Sequence, residues 1–163
     1  LARGTRQVER LTFVPDEPSA VVAAMEQLTD RGDGWINVLP SVADDDETST
    51  TIGFFTMLSG GGSGLVMCSW IPARAERRPR APAALGIAHL VGRRVVGELV
   101  EKGRGVPAGW FVEQDHPRRG LVVRVPPDEP HRAVLGWAVG AVAALSSADA
   151  ALRWRADVYL PLH

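Results

Sequence analysis

The residues of this chain best suited to chemistry stand together at Asp115-His116-Pro117-Arg118-Arg119-Gly120. An imidazole titrates near neutral pH and can serve as a general base. A neighbouring carboxylate could orient it, and two guanidiniums could hold an anion. Asp115, His116, Arg118 and Arg119 are therefore the candidate ligand-binding set. The same segment has the composition of a tight turn, where Asp, Pro and Gly belong for backbone reasons alone. Adjacent Asp and His point to opposite sides of a strand, which favours the turn reading over a catalytic pair.

Weaker signals come from elsewhere. Ser59-Gly60-Gly61-Gly62-Ser63-Gly64 is glycine-rich enough to approach a phosphate, but a phosphate loop needs a Lys and a Ser or Thr opening a helix. Here Leu65-Val66-Met67 follows, so the loop reads as a hairpin connection. Asp44-Asp45-Asp46-Glu47 lacks the interleaved spacing and turn glycine of a calcium loop, and reads as a solvated loop. His89 and Arg93 lie four apart on an expected helix; arginine is no metal ligand, so they read as a solvated face. His131 and His163 carry no pattern. Cys68 is the one cysteine, so neither an internal disulfide nor a cysteine metal cluster forms within one chain. It sits in the apolar run Leu65-Val66-Met67-Cys68 and reads as a packing thiol. Signatures of a nucleophile elbow, a zinc protease or a zinc finger are missing. No catalytic residue, metal site or cofactor is assigned.

These residues must be placed by elements that the hydrophobic pattern suggests. Residues 8–14 read as a first strand. A helix over 18–31 carries Val21, Ala24, Met25 and Leu28 on one stripe, with Gly32 to close it. Strands follow at 35–39, 51–58 and 65–71, the last two joined by the glycine loop. Residues 40–50 and the arginine-rich 72–82 read as exposed loops. A second helix is expected over 83–102, its stripe formed by Ala84, Ala88, Val91, Val95 and Leu99. A hairpin comes next, 110–113 and 121–125 about the Asp115–Gly120 turn. A third helix spans 131–146. Pro15-Asp16-Glu17-Pro18 and Pro127-Asp128-Glu129-Pro130 precede the first and third helices and suggest the same capping chemistry twice. The final strand, 152–160, alternates apolar and polar residues, as a half-buried strand does.

Short connections between strands require antiparallel pairing. The expectation is one α+β domain over residues 1–163: a single, mostly antiparallel sheet of about six strands with three helices packed on one face. The central order α-β-β-β-α-β-β-α, over about residues 18–146, resembles that of the type III secretion chaperone-like fold, which includes the YbjN-like proteins. The resemblance implies a small, dimeric, non-enzymatic protein that binds other polypeptides. It rests on element order, and no residue role is carried over.

Composition bounds the partners. The chain has 163 residues, 45% hydrophobic and 23% charged, which are ordinary globular values. Its net charge of −1 offers no basic excess to neutralise phosphates, so nucleic acid is disfavoured as a partner. Lys102 is the sole lysine among 18 basic residues, a bias that discounts the arginine count as a phosphate signal. The apolar stretch 133–145 falls short of the ~20 residues a membrane span needs. Leu1-Ala2-Arg3-Gly4 shows no apolar signal region, and a cytoplasmic location is expected. Two surfaces suit a protein partner. Arg153, Arg155, Asp157 and Tyr159 share the polar side of the last strand, where they could meet an acidic segment or form ion pairs on a solvated sheet face. Gly136, Trp137, Gly140 and Ala144 lie along the third helix, where small residues let another backbone come close and Trp137 could anchor it. The stripe suits either packing within the chain or a homodimer contact. The leading expectation is a protein-binding, chaperone-like or regulatory homodimer. The alternative is a small enzyme or anion-binding domain centred on the Asp115–Gly120 turn.

Overall fold

The computed structural model describes residues 4–41, 66–74, 81–146 and 153–162. Among the described residues, seven strands form one sheet: β1 Thr5–Phe13, β2 Trp35–Pro40, β3 Met67–Ile71, β4 Ala83–Ala88, β5 Phe111–His116, β6 Gly120–Val125 and β7 Trp154–Pro161. The helices among the described residues are α1 Ser19–Arg31, α2 Val96–Glu101 and α3 His131–Leu145. The strand order is β1-β7-β2-β3-β4-β6-β5, and each neighbouring pair is antiparallel. Among the described residues the sheet thus has seven strands rather than about six.

Helix α1 follows from its sequence. Val21, Ala24, Met25 and Leu28 are its buried face, and Gly32 ends it in a left-handed conformation, donating its N–H to Leu28 O and Thr29 O. The paired Pro-Asp-Glu-Pro strings do not cap as expected. Pro18 and Pro130 occupy the N-cap positions, and no side chain caps either helix.

The expected helix over 83–102 is the main correction. Its first part is the strand β4, and only Val96–Glu101 is helical. The run Ala-Ala-Leu-Gly-Ile-Ala is buried on both sides of the sheet, so it shows no polar alternation that would betray a strand. Leu85 and Ile87 join the main core, while Ala84 packs with Val122 in a second cluster. The main core also takes alternate residues of the other strands (Ile36 and Val38, Cys68 and Trp70, Leu121 and Val123, Trp154, Ala156 and Val158) with buried residues from all three helices.

The last strand is the second correction. The pattern over 152–160 reads as a half-buried strand, yet β7 lies between β1 and β2 and is buried on both sides through Tyr159. The register then sets one row across all seven strands: Arg10, Asp157, Asn37, Ser69, Gly86, Val122 and Gln114. The two edge strands each carry an irregularity, at Val8 in β1 and Glu113 in β5. A bulge on an edge strand disturbs the flat ladder that another chain would extend.

The expected strand at 51–58, the glycine loop at 59–64, the acidic run at 44–47, Arg77, Arg78, Arg80 and His163 lie outside the described residues.

Candidate functional site

The β5–β6 hairpin brings Asp115 and His116 close in sequence but gives them separate work. Asp115 Oδ1 accepts the Val95 N–H at 2.9 Å and Oδ2 the Val96 N–H at 3.2 Å, so its carboxylate ties the start of α2 to the hairpin. His116 Nδ1 accepts the N–H groups of Arg118 and Arg119, both at 3.1 Å. That leaves Nε2 to carry the proton of the neutral ring. Gln114 Nε2 donates to Arg119 O and Gly120 O, closing the tip from the other strand. Gly120 has φ +85°, and a Cβ there would fall 2.3 Å from Ile87 O, so only glycine fits. Arg118 and Arg119 are exposed at the tip.

His89 follows directly after β4, beside this hairpin. Sequence alone placed it on a solvated helix face; it is in fact 7% exposed, because the helix begins only at Val96. Neither ring nitrogen has a hydrogen-bond partner. Burial lowers the His89 pKa from the ordinary imidazole value, against the opposing pull of Asp115 and Glu98. Arg93 does not sit with His89 on a helix but bonds Glu98 at 2.9 Å. Glu98 also accepts from Lys102 Nζ at 2.8 Å, and these two cations hold its carboxyl below the usual range.

The polar side of β7 is a buried ion cluster. Asp157, 1% exposed, takes Arg10 Nε on Oδ1 at 2.8 Å and faces Arg155 Nε from Oδ2 at 3.2 Å. Gln7 Nε2 reaches Oδ1 at 3.4 Å. Ser69 donates to Asn37 Oδ1 at 2.6 Å in the same row. Tyr159 stacks on Trp35 with ring centres 5.1 Å apart, and burial raises its pKa above that of a free phenol. Arg155, Asp157 and Tyr159 are therefore buried rather than a solvated face, while Arg153 is exposed just before the strand.

On α3, the small-residue stripe is partly occupied by the chain itself. Arg104 lies over Gly140, whose Cβ would be 3.1 Å from the guanidinium. Trp137 Nε1 donates to Gly105 O at 3.0 Å, and Ala144 O accepts Lys102 Nζ at 2.6 Å. Trp137 also meets Trp110 edge-on at 5.4 Å. Gly136 is different: it is exposed, and nothing lies within 4 Å of where its Cβ would be. It helps to line a cleft of about 320 Å³ formed with Phe13, Pro15, Asp16, Arg132, Leu135 and Val139. Nearby, His131 Nε2 lies 3.1 Å from Thr29 Oγ1 and meets Trp70 edge-on, joining the start of α3 to the end of α1 and to the sheet.

Among the described residues, no three of His, Cys, Asp and Glu gather as a metal site, and no helix is long and apolar enough to cross a membrane. Cys68 is buried, and burial pushes its thiol up to about 12. No family model, curated protein or solved structure matches the chain.

Sequence reasoning named Asp115, His116, Arg155, Asp157, Tyr159 and Gly136 but not Arg10, Gln7, Asn37 and Ser69 around Asp157, nor Phe13, Arg132, Leu135 and Val139 around Gly136. It missed His89 as a buried group and Asp157 as the centre of an ion cluster. The alternation Arg155-x-Asp157-x-Tyr159 was the available signal for the second. Nothing local signalled the first.

Proposed function

We propose that the chain is a protein-binding module of chaperone-like or regulatory type that acts as a homodimer, with its three helices packed on one face of the sheet. The cleft beside Gly136 carries this reading. Its floor is apolar, from Phe13, Leu135 and Val139, and its rim bears one acid, Asp16, and one base, Arg132. A two-fold interface sets one surface patch against itself. An acid and a base on one patch are complementary under that operation, so Asp16 of one protomer meets Arg132 of its partner. Gly136 contributes no side chain and leaves room for the approach. Residues 102–105 already cover the stripe at Gly140 and Ala144, so the contact centres on Gly136 and its end of α3. The anion-site alternative gains no comparable support, since Asp115 and His116 both accept backbone N–H groups.

The test is self-association measured by sedimentation or light scattering. The wild type is expected to dimerise. Asp16→Arg and Arg132→Asp should each weaken the dimer about tenfold, and the double swap should restore it. A monomeric wild type, or single swaps without effect, would overturn the proposal.

A further inference from the structure

We infer that His89 makes the junction between β4 and α2 a pH-responsive latch: its protonation releases the start of α2 from the β5–β6 hairpin. This goes beyond the binding reading and does not depend on it.

The latch is the Asp115 carboxylate, whose two oxygens hold the N–H groups of Val95 and Val96. The connection it secures turns at Gly92, with φ +74°, and exposes Leu90. His89, 7% exposed, stands at the start of that connection with both ring nitrogens unpartnered. A neutral imidazole survives there at modest cost. An imidazolium has two donors and a full charge, and neither buried nitrogen has an acceptor in place to receive it.

The charges acting on the ring come from two elements, Asp115 on β5 and Glu98 on α2. Glu98 is already bound by Arg93 and Lys102, and Asp115 by the two backbone N–H groups. Protonation therefore has two outlets. Asp115 turns to the imidazolium and drops Val95 and Val96, or the ring swings into water and draws residues 90–95 with it. Both open the latch. The consequence passes beyond α2, since the residues that follow it bind α3 through Lys102 to Ala144 O and Gly105 O to Trp137. Burial holds His89 below the ordinary imidazole value, so the latch stays shut at neutral pH and opens on acidification.

Amide hydrogen exchange by NMR, corrected for the intrinsic pH dependence, tests this. Between about pH 7.5 and about pH 5.5, protection of Val95 and Val96 should fall at least tenfold relative to Val123 in β6. The loss should track the titration of the His89 ring, followed in the same spectra of the wild type. His89→Phe and His89→Gln should each keep both amides protected, and His116→Gln should respond like the wild type. Protection that is constant with pH would overturn the inference. So would a loss that does not follow the His89 ring, one that survives in a folded His89 variant, or one that disappears with His116→Gln.

Discussion

Asp157 and His89 are both buried ionisable residues on or beside central strands, and their surroundings are opposites. Asp157 is met by two guanidiniums, with Gln7 within reach and the Asn37–Ser69 pair next in the row. His89 has no hydrogen-bond partner, and the carboxylates that act on it are engaged elsewhere. Position in the sheet explains the contrast. Asp157 sits mid-strand, where the register delivers Arg10 and Asn37 on either side. His89 lies just past the last β4 pairing, where no ladder supplies neighbours. A regular sheet can build a matched cluster from strand register alone; a group just beyond it depends on loop packing.

If that contrast is correct, breaking the matched cluster has the largest effect. Asp157→Asn leaves Arg10 and Arg155 without their carboxylate and should destabilise the fold by about 3 kcal/mol, as loss of one partner of a buried ion pair does. Arg10 keeps some contact with water, which holds the effect to the lower end of the usual range. Urea unfolding at neutral pH measures it, and a change under about 1 kcal/mol would show that the cluster is solvated after all. Asp115→Ala comes next. It removes the acceptor of Val95 and Val96 at the start of a short helix and should cost about 1 kcal/mol, the usual worth of an N-terminal cap. The same unfolding series ranks the two, and equal losses would erase the distinction between them.

Much of this architecture was legible in the sequence, and the failures share one cause. Helix α1 and the β5–β6 hairpin announce themselves through local features: a 3.6-residue stripe closed by Gly32, and two apolar runs about a Pro-Gly turn. Strand β4 does not. Central strands are buried on both faces, and small residues such as Ala84 and Gly86 on the second face give no alternation to detect. Strand β7 has the alternation, but its polar side looks solvated unless β1 and β2 are known to flank it. Strand order is a non-local property, and no window of sequence contains it. The burial of His89 is lost with β4, since an error in the element misplaces every side chain after it. The turn at Asp115–Gly120 was readable because a turn closes on its own neighbours, although the two N–H groups that His116 accepts were not.

The smallest effect separates the two regions most cleanly, because it has the opposite sign. Removing Asp157 should cost stability; removing the His89 ring should not. A base whose folded pKa lies below its unfolded value binds fewer protons in the native state. Its stabilising share is whole above the ordinary value of 6.5 and drains away as pH falls through the lower folded value. His89→Phe abolishes this share and also removes two unpartnered nitrogens from a buried site. At about pH 7.5 the variant should match the wild type or exceed it by up to about 1 kcal/mol, since an apolar ring of similar shape replaces an unsatisfied one. At about pH 5.5 its advantage should widen, because only the wild type gains a proton at His89 on unfolding, which acid favours. Urea midpoints at the two pH values give the comparison. An advantage that stays constant across them would mean that His89 has the same affinity for protons folded and unfolded, and the contrast with Asp157 would lose its pH signature.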